Sequence, residues 1–243
     1  MHTYAIGDIH GHIDLLTQVH GWIAKDIETY GAAPVVHIGD VVDRGPDSRG
    51  VVEFLRAGVQ GGHDWVVLKG NHDRMFANYL ANMNGHDEGL RADLSYLHPR
   101  IGGATTLASY GVKNAADRPL APVYADAIAA VPAAHRRFLE ALPTSFVRGD
   151  AIYVHAGIRP GIALAQQSET DLLWIRKEFL EDRRDYGALI VHGHTAIERP
   201  THYGNRVNID SSAAYGGPLS AVVIQGRDVF NLTALGRVPL LPI

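Results

Sequence analysis

Five short apolar runs in this 243-residue sequence each end in a compact polar cluster. Thr3–Ile6 leads into Gly7-Asp8-Ile9-His10-Gly11, and Val35–Ile38 into Gly39-Asp40-Val41-Val42-Asp43-Arg44-Gly45. Trp65–Leu68 leads through Lys69 into Gly70-Asn71-His72-Asp73, Ala151–Val154 into His155-Ala156-Gly157, and Ala188–Val191 into His192-Gly193-His194-Thr195. Asp8 and His10 are two apart, so in extended backbone both side chains point the same way and can reach one cation. Asp40 has two oxygens and can bridge a pair of cations; Asn71, His155 and His194 offer a neutral oxygen and two nitrogens to the second. Mixed carboxylate, imidazole and amide donors suit Mn²⁺, Fe or Zn²⁺ better than Ca²⁺. Such a pair of ions clamps the attacking and leaving oxygens of an in-line phosphoryl displacement.

Taken singly, each cluster has a plainer reading. A Gly-Asp after a strand marks a turn, a lone His155 is a satisfied core histidine, and Asn71 is a turn former or helix cap. Five such clusters, each at a strand end, make a case that no single one makes. Among the 14 histidines, His12 and His37 lie close to the clusters, and His192 would share the face of His194 if the chain there stayed extended. His2, His20, His63, His86, His98, His135 and His202 read as surface or structural.

The apolar runs are short and β-branched, as buried strands are. Between the early ones, Leu15, Leu16, Val19, Trp22, Ile23 and Ile27 fall at helical spacing, as do Val51, Val52, Phe54 and Leu55, and then Met75, Phe76, Tyr79, Leu80 and Met83. Strand and helix alternation predicts an α/β fold with a largely parallel start to the sheet, and ligands in such sheets bind outside the carboxyl ends of the strands. After Pro200, Arg206–Ile209, Leu219–Ile224 and Val229–Thr233 read as further strands, giving two packed mixed sheets flanked by helices. The expectation is a single domain over 1–243, with a mainly helical insertion or cap around 84–143, where helix-like stretches such as Ala133–Leu142 occur.

Composition narrows the partners. Twenty-six acids against 22 bases give a net charge of −4, which disfavours nucleic acid as partner. No run approaches a membrane span, and the absence of cysteine removes disulfides, thiolate chemistry and thiolate zinc sites. The sequence opens directly into Thr3-Tyr4-Ala5-Ile6, without the basic and apolar regions of a cleaved signal, so the expected location is cytoplasmic.

In order, GDIHG, GDVVDRG, GNHD, HAG and HGHT resemble the blocks of the PPP-type phosphatases of the calcineurin-like metallophosphoesterase superfamily, from Gly7 to Thr195. The stretches GGATTLASYG, HAGIRPG, DLLWIRKEFL and NIDSSAAYGG resemble the bacterial, Rhizobiales-like branch. The resemblance implies a β-sandwich flanked by helices (αββα) and two divalent metals, most readily Mn²⁺, with Fe or Zn²⁺ as alternatives. Asp8, His10 and Asp40 would hold the first metal, and Asp40 with Asn71, His155 and His194 the second. It further implies phosphate binding by Arg44 and Arg176 with Asn71, and a general acid, His72, oriented by Asp43. The reaction would be direct attack on phosphorus by a hydroxide bridging the metals. Asp73 stands where the family has glutamate and Ala156 where it has glycine, and the eukaryotic C-terminal signature is missing.

The function expected from this resemblance is a metal-dependent protein phosphatase acting on Ser/Thr or Tyr phosphate, with a phosphorylated protein, peptide or small phosphate ester as partner. The alternative is a symmetrical bis(5'-nucleosyl)-tetraphosphatase. In that relative the second block reads GDLVARG, without an acid at the position of Asp43, so Asp43 favours the phosphatase. A metal-binding scaffold without turnover would be expected to lack a ligand or an arginine, and neither is missing.

Overall fold

The computed structural model describes residues 1–243 and contains two β-sheets with helices on their outer faces. The first sheet has the order β11-β10-β9-β1-β2-β3, formed by β1 (Thr3–Ile6), β2 (Val35–His37), β3 (Trp65–Val67), β9 (Ala221–Gln225), β10 (Asp228–Thr233) and β11 (Gly236–Pro239). Helices α1 (Ile13–Tyr30) and α2 (Ser48–Gln60) make the crossovers between the parallel strands β1, β2 and β3. The second sheet has the order β4-β5-β6-β8-β7, from β4 (Ser145–Arg148), β5 (Ala151–Val154), β6 (Leu189–His192), β7 (Thr201–His202) and β8 (Arg206–Asn208). Here β5, β6 and β8 are parallel.

Side-chain alternation divides each strand between two cores. Ala5, Val36, Tyr153, Val191 and Val222 meet between the sheets, whereas Tyr4, Ile6, Val35 and Val223 pack outward with Leu16, Val19 and Ile23 of α1. On the far side of the second sheet, Val154 and Ile190 pack with Leu172 of α7 (Glu169–Trp174) and Phe179 of α8 (Lys177–Leu180). Strands covered on both faces have no polar alternation to show, which is why they read as continuous apolar runs.

After α3 (Asn71–Ala81), the chain between Asn82 and Gly102 forms turns and no helix. Helices α4 (Gly103–Ser109), α5 (Leu120–Ala130) and α6 (Ala133–Glu140) then pack against α2 and α3. They thicken the helical layer outside the first sheet. The turn segment before them borders the cleft described next.

Candidate active site

The carboxyl ends of β1, β2, β3, β5 and β6 bring their polar clusters together, and β8 adds a sixth end bearing Asp210. Asp8, His10, Asp40, Asn71, His72, His155, His194 and Asp210 are all buried there. Two sets of donor atoms gather within 4.8 Å of one another: His10, Asp40 and His72, and Asp40, His155 and His194. Asp40 belongs to both. Asn71 joins the second set, its Oδ1 lying 2.9 Å from His155 Nε2 and 2.8 Å from His194 Nδ1. Asp8 stands beside the sets, accepting from the backbone N–H of His194 through Oδ2 at 3.0 Å.

Backbone conformation places these groups. His10, Asp40, Asp43, Arg44 and His194 all have positive φ, between 46° and 72°. Residues other than glycine are strained there, and such strain clusters at functional sites. The turn at His10 corrects the extended Asp8–His10 segment expected from spacing: the strand has ended, and the loop itself aims both side chains. The turn at His194 likewise separates it from His192, whose Nε2 meets the Arg206 guanidinium at 3.2 Å and whose ring lies against Phe179. His37 pairs with His20, their Nε2 atoms 3.0 Å apart, and His12 immediately precedes α1. None of these three joins either donor set.

At the start of the 11-residue α3, the His72 N–H donates to Asp40 Oδ1 at 2.9 Å, so the positive end of the helix faces that carboxylate. Asp73 accepts from the backbone N–H of Gly70 at 2.8 Å and of Val41 at 3.0 Å, fastening the β2 and β3 loops together. The shorter acid therefore still reaches both loops. A Cβ at Gly70 would lie 2.2 Å from Asp40 N and Oδ1, so only glycine lets the loops approach this closely.

Hydrogen bonds also fix how the imidazoles present themselves. His10 Nδ1 lies 3.0 Å from the Val42 carbonyl and His155 Nδ1 3.0 Å from that of Ile38. A carbonyl only accepts, so each Nδ1 carries the proton and each Nε2 turns a lone pair inward. Those nitrogens stand 3.4 Å from Asp40 Oδ2 and 3.5 Å from Oδ1, acceptor against acceptor. Burial holds the His10, His155 and His194 imidazoles below their ordinary pKa, keeping them neutral. Burial, then Asp210 and Asp40, raises Asp8 well above the usual carboxylate range, and burial pushes Asp210 up to about 6. Asp8 Oδ1 and His194 Nε2 are buried without a partner. Clustered carboxylates, inward lone pairs and the orphaned Asp8 oxygen fit divalent cations, which would relieve all three.

Asp40, Asn71, His72 and His194 line a cleft of about 650 Å³. Arg44, Arg91, Arg100 and Arg176 line it, with Trp174 and Tyr215. The Arg44 guanidinium lies 5.1 Å from the centre of the Tyr215 ring and 3.1 Å from His10 Nε2. His72 also faces the cleft, its Nδ1 held by Asp43 Oδ2 at 2.7 Å.

The calcineurin-like phosphoesterase family model matches residues 1–223. The chain belongs to the calcineurin-like metallophosphoesterases. Among curated members of this superfamily, the chain is 30% identical to the asymmetrical bis(5'-nucleosyl)-tetraphosphatase PrpE of Geobacillus thermodenitrificans, over 91% of this chain and 90% of that one. It is 25% identical to serine/threonine-protein phosphatase 1 of Salmonella typhimurium, over 92% of each. A cold-active protein-tyrosine phosphatase from a psychrophilic Shewanella species shares the metallophosphoesterase fold, with a TM-score of 0.63 at 19% identity over 99% of this chain and 80% of that one.

Sequence reasoning missed Asp210, Trp174, Tyr215, Arg91 and Arg100. A signal existed for Asp210, because Arg206–Ile209 followed by Asp210-Ser211-Ser212 repeats the pattern of an apolar run ending in a polar cluster. The expected tetraphosphatase alternative is the symmetrical kind, whereas the relative at 30% identity is an asymmetrical one.

Proposed function

We propose that this metallophosphoesterase hydrolyses nucleoside polyphosphates, with a dinucleoside tetraphosphate as the test substrate. The observation that carries the reading is the cleft lining, where four arginines and two aromatic rings share one cavity with Asp40, Asn71, His72 and His194. A single phosphomonoester needs one or two arginines. A polyphosphate chain offers charge for Arg44, Arg100 and Arg176, the Arg91 fork being already held by Asp93, and nucleobases offer faces for Trp174 and Tyr215. The asymmetrical tetraphosphatase name of the PrpE relative supports the same substrate.

Asp8, His10, Asp40, Asn71, His155 and His194 would hold two divalent cations. When bound, such ions polarise phosphoryl oxygens and bring the pKa of water towards neutrality, which supplies the nucleophile. Arg44 and Arg176 bind the oxygens of the phosphoryl group under attack, their forks matching its geometry. His72 delivers the proton on Nε2 to the leaving oxygen, while Asp43 keeps Nδ1–H directed away from the cleft.

A phosphoprotein phosphatase is the second reading. Asp43 in the second block and the similarity to serine/threonine-protein phosphatase 1 favour it. The deciding measurement is kcat/KM of manganese-loaded protein on diadenosine tetraphosphate and on matched phosphotyrosine and phosphothreonine peptides. Preference for the dinucleotide, with ATP and AMP as products, supports the first reading. Two ADP would identify symmetrical cleavage, and faster turnover of either peptide would replace the polyphosphate reading with the second.

A further inference from the structure

We propose that Tyr96 and Thr106 are positioning residues for the acid step, acting on His72 through Asp43; this rests on His72 being the proton donor proposed above. Tyr96 lies in the turn segment after α3, and Thr106 on α4. Both hydroxyls donate to the same atom, Asp43 Oδ1, each at 2.7 Å, while Oδ2 takes His72 Nδ1 at 2.7 Å.

The protons can be counted. The Thr106 hydroxyl has one hydrogen and spends it on Asp43. The Ser48 hydroxyl, 3.0 Å from Thr106 Oγ1, must therefore be the donor in that pair. The Asp43 backbone N–H closes the ring, donating to Thr106 Oγ1 at 2.9 Å and Ser48 Oγ at 3.0 Å. Asp43 is fully buried, so water supplies none of these bonds.

This arrangement leaves Asp43 Oδ2 as an acceptor facing Nδ1. Two hydroxyl donors hold Oδ1 and so keep Oδ2 turned to Nδ1, which leaves Nε2 to work in the cleft. The Tyr96 ring is itself fixed, stacked at 5.6 Å on Phe76 and 5.1 Å from Tyr79, both on the helix that carries His72. Backbone, ring and hydroxyl thus hold one imidazole from two sides.

The first test needs neither metal nor substrate. In metal-free protein, the proton shared by His72 Nδ1 and Asp43 should give a far-downfield NMR resonance that vanishes in His72→Asn. Tyr96→Phe and Thr106→Val should each shift it, and Thr106→Ser should restore it. Tyr96→Phe should also lower kcat on an alkyl phosphate by roughly tenfold, with KM unchanged and p-nitrophenyl phosphate much less affected, as loss of one hydrogen bond to a charged group predicts. An unmoved resonance, or equal losses on both esters, would overturn the positioning role. Equal losses on both esters in His72→Asn would overturn the acid reading instead. If Tyr96→Phe fails to fold, the Thr106 pair decides on the same two readouts.

Discussion

The backbone N–H of His194 donates to Asp8 Oδ2 at 3.0 Å, joining residues 186 positions apart. The bond ties the loop after β1, in the first sheet, to the loop after β6, in the second. It uses one carboxylate oxygen and leaves the other, Oδ1, inward and unpartnered. Beside it, a Cβ on Gly193 would lie 1.9 Å from that oxygen.

Gly193→Ala should therefore displace Asp8. The expected result is fewer bound metal ions per chain by elemental analysis and a loss of ~1–3 kcal/mol in denaturant unfolding, typical of forced overpacking. Unchanged metal content and stability would show that the Asp8 carboxylate has room to retreat.

Asp40→Asn should end paired metal binding, because Asp40 is the residue common to both donor sets. Elemental analysis after dialysis checks this, and two metals per chain in the variant would refute the bridging role.

His72→Asn should keep both metals yet lose activity on alkyl phosphates by roughly 10²–10⁴-fold, the usual worth of a general acid, with a far smaller loss on an activated aryl ester. Loss of a metal ion would instead make His72 a ligand alongside His10 and Asp40.

Arg100→Ala should raise KM for diadenosine tetraphosphate by roughly tenfold, the worth of one charge-assisted contact, and affect p-nitrophenyl phosphate less. Equal effects on both would remove Arg100 from recognition of the distal phosphates.

Away from the cleft, Asp26 of α1 accepts from Tyr4 at 2.7 Å and from the Arg237 fork on β11 at 2.6–3.0 Å. Burial opposes its ionisation, but Arg237 and Tyr4 outweigh that and hold the carboxyl below its ordinary range. A lowered folded pKa means the stabilisation is fully present above the unfolded value, about 4, and is lost as pH falls through the folded one. The stability gap between wild type and Asp26→Asn should therefore be full at neutral pH and close in acid. A gap independent of pH would contradict the ion pair.

Much of the site was legible because buried parallel strands write themselves as apolar runs, and each run stops where the chain meets the cleft. Of the three late strands, β8 and the antiparallel β9 were legible as buried apolar runs too, whereas β10 showed only Val229 and Leu232 buried among partly exposed neighbours. The half-buried β4 and the two-residue β7 carry too little apolar signal, and α7 and α8 are too short to show helical periodicity. Tyr96 and Thr106 could not be read at all. They lie 53 and 63 positions from Asp43, and only tertiary packing brings their hydroxyls to it. The left-handed turn at His10 was hidden too, since nothing in its residue type requires positive φ.

The five left-handed residues have a consequence for anyone trying to make this enzyme tougher. Each stores ~1–3 kcal/mol that glycine or asparagine at the same position would partly release. A library selected for heat resistance alone would therefore drift towards changes at His10, Asp40, Asp43, Arg44 and His194. Its hardiest survivors would be folded, soluble and inert, and thermal robustness has to be sought on the outer helices instead.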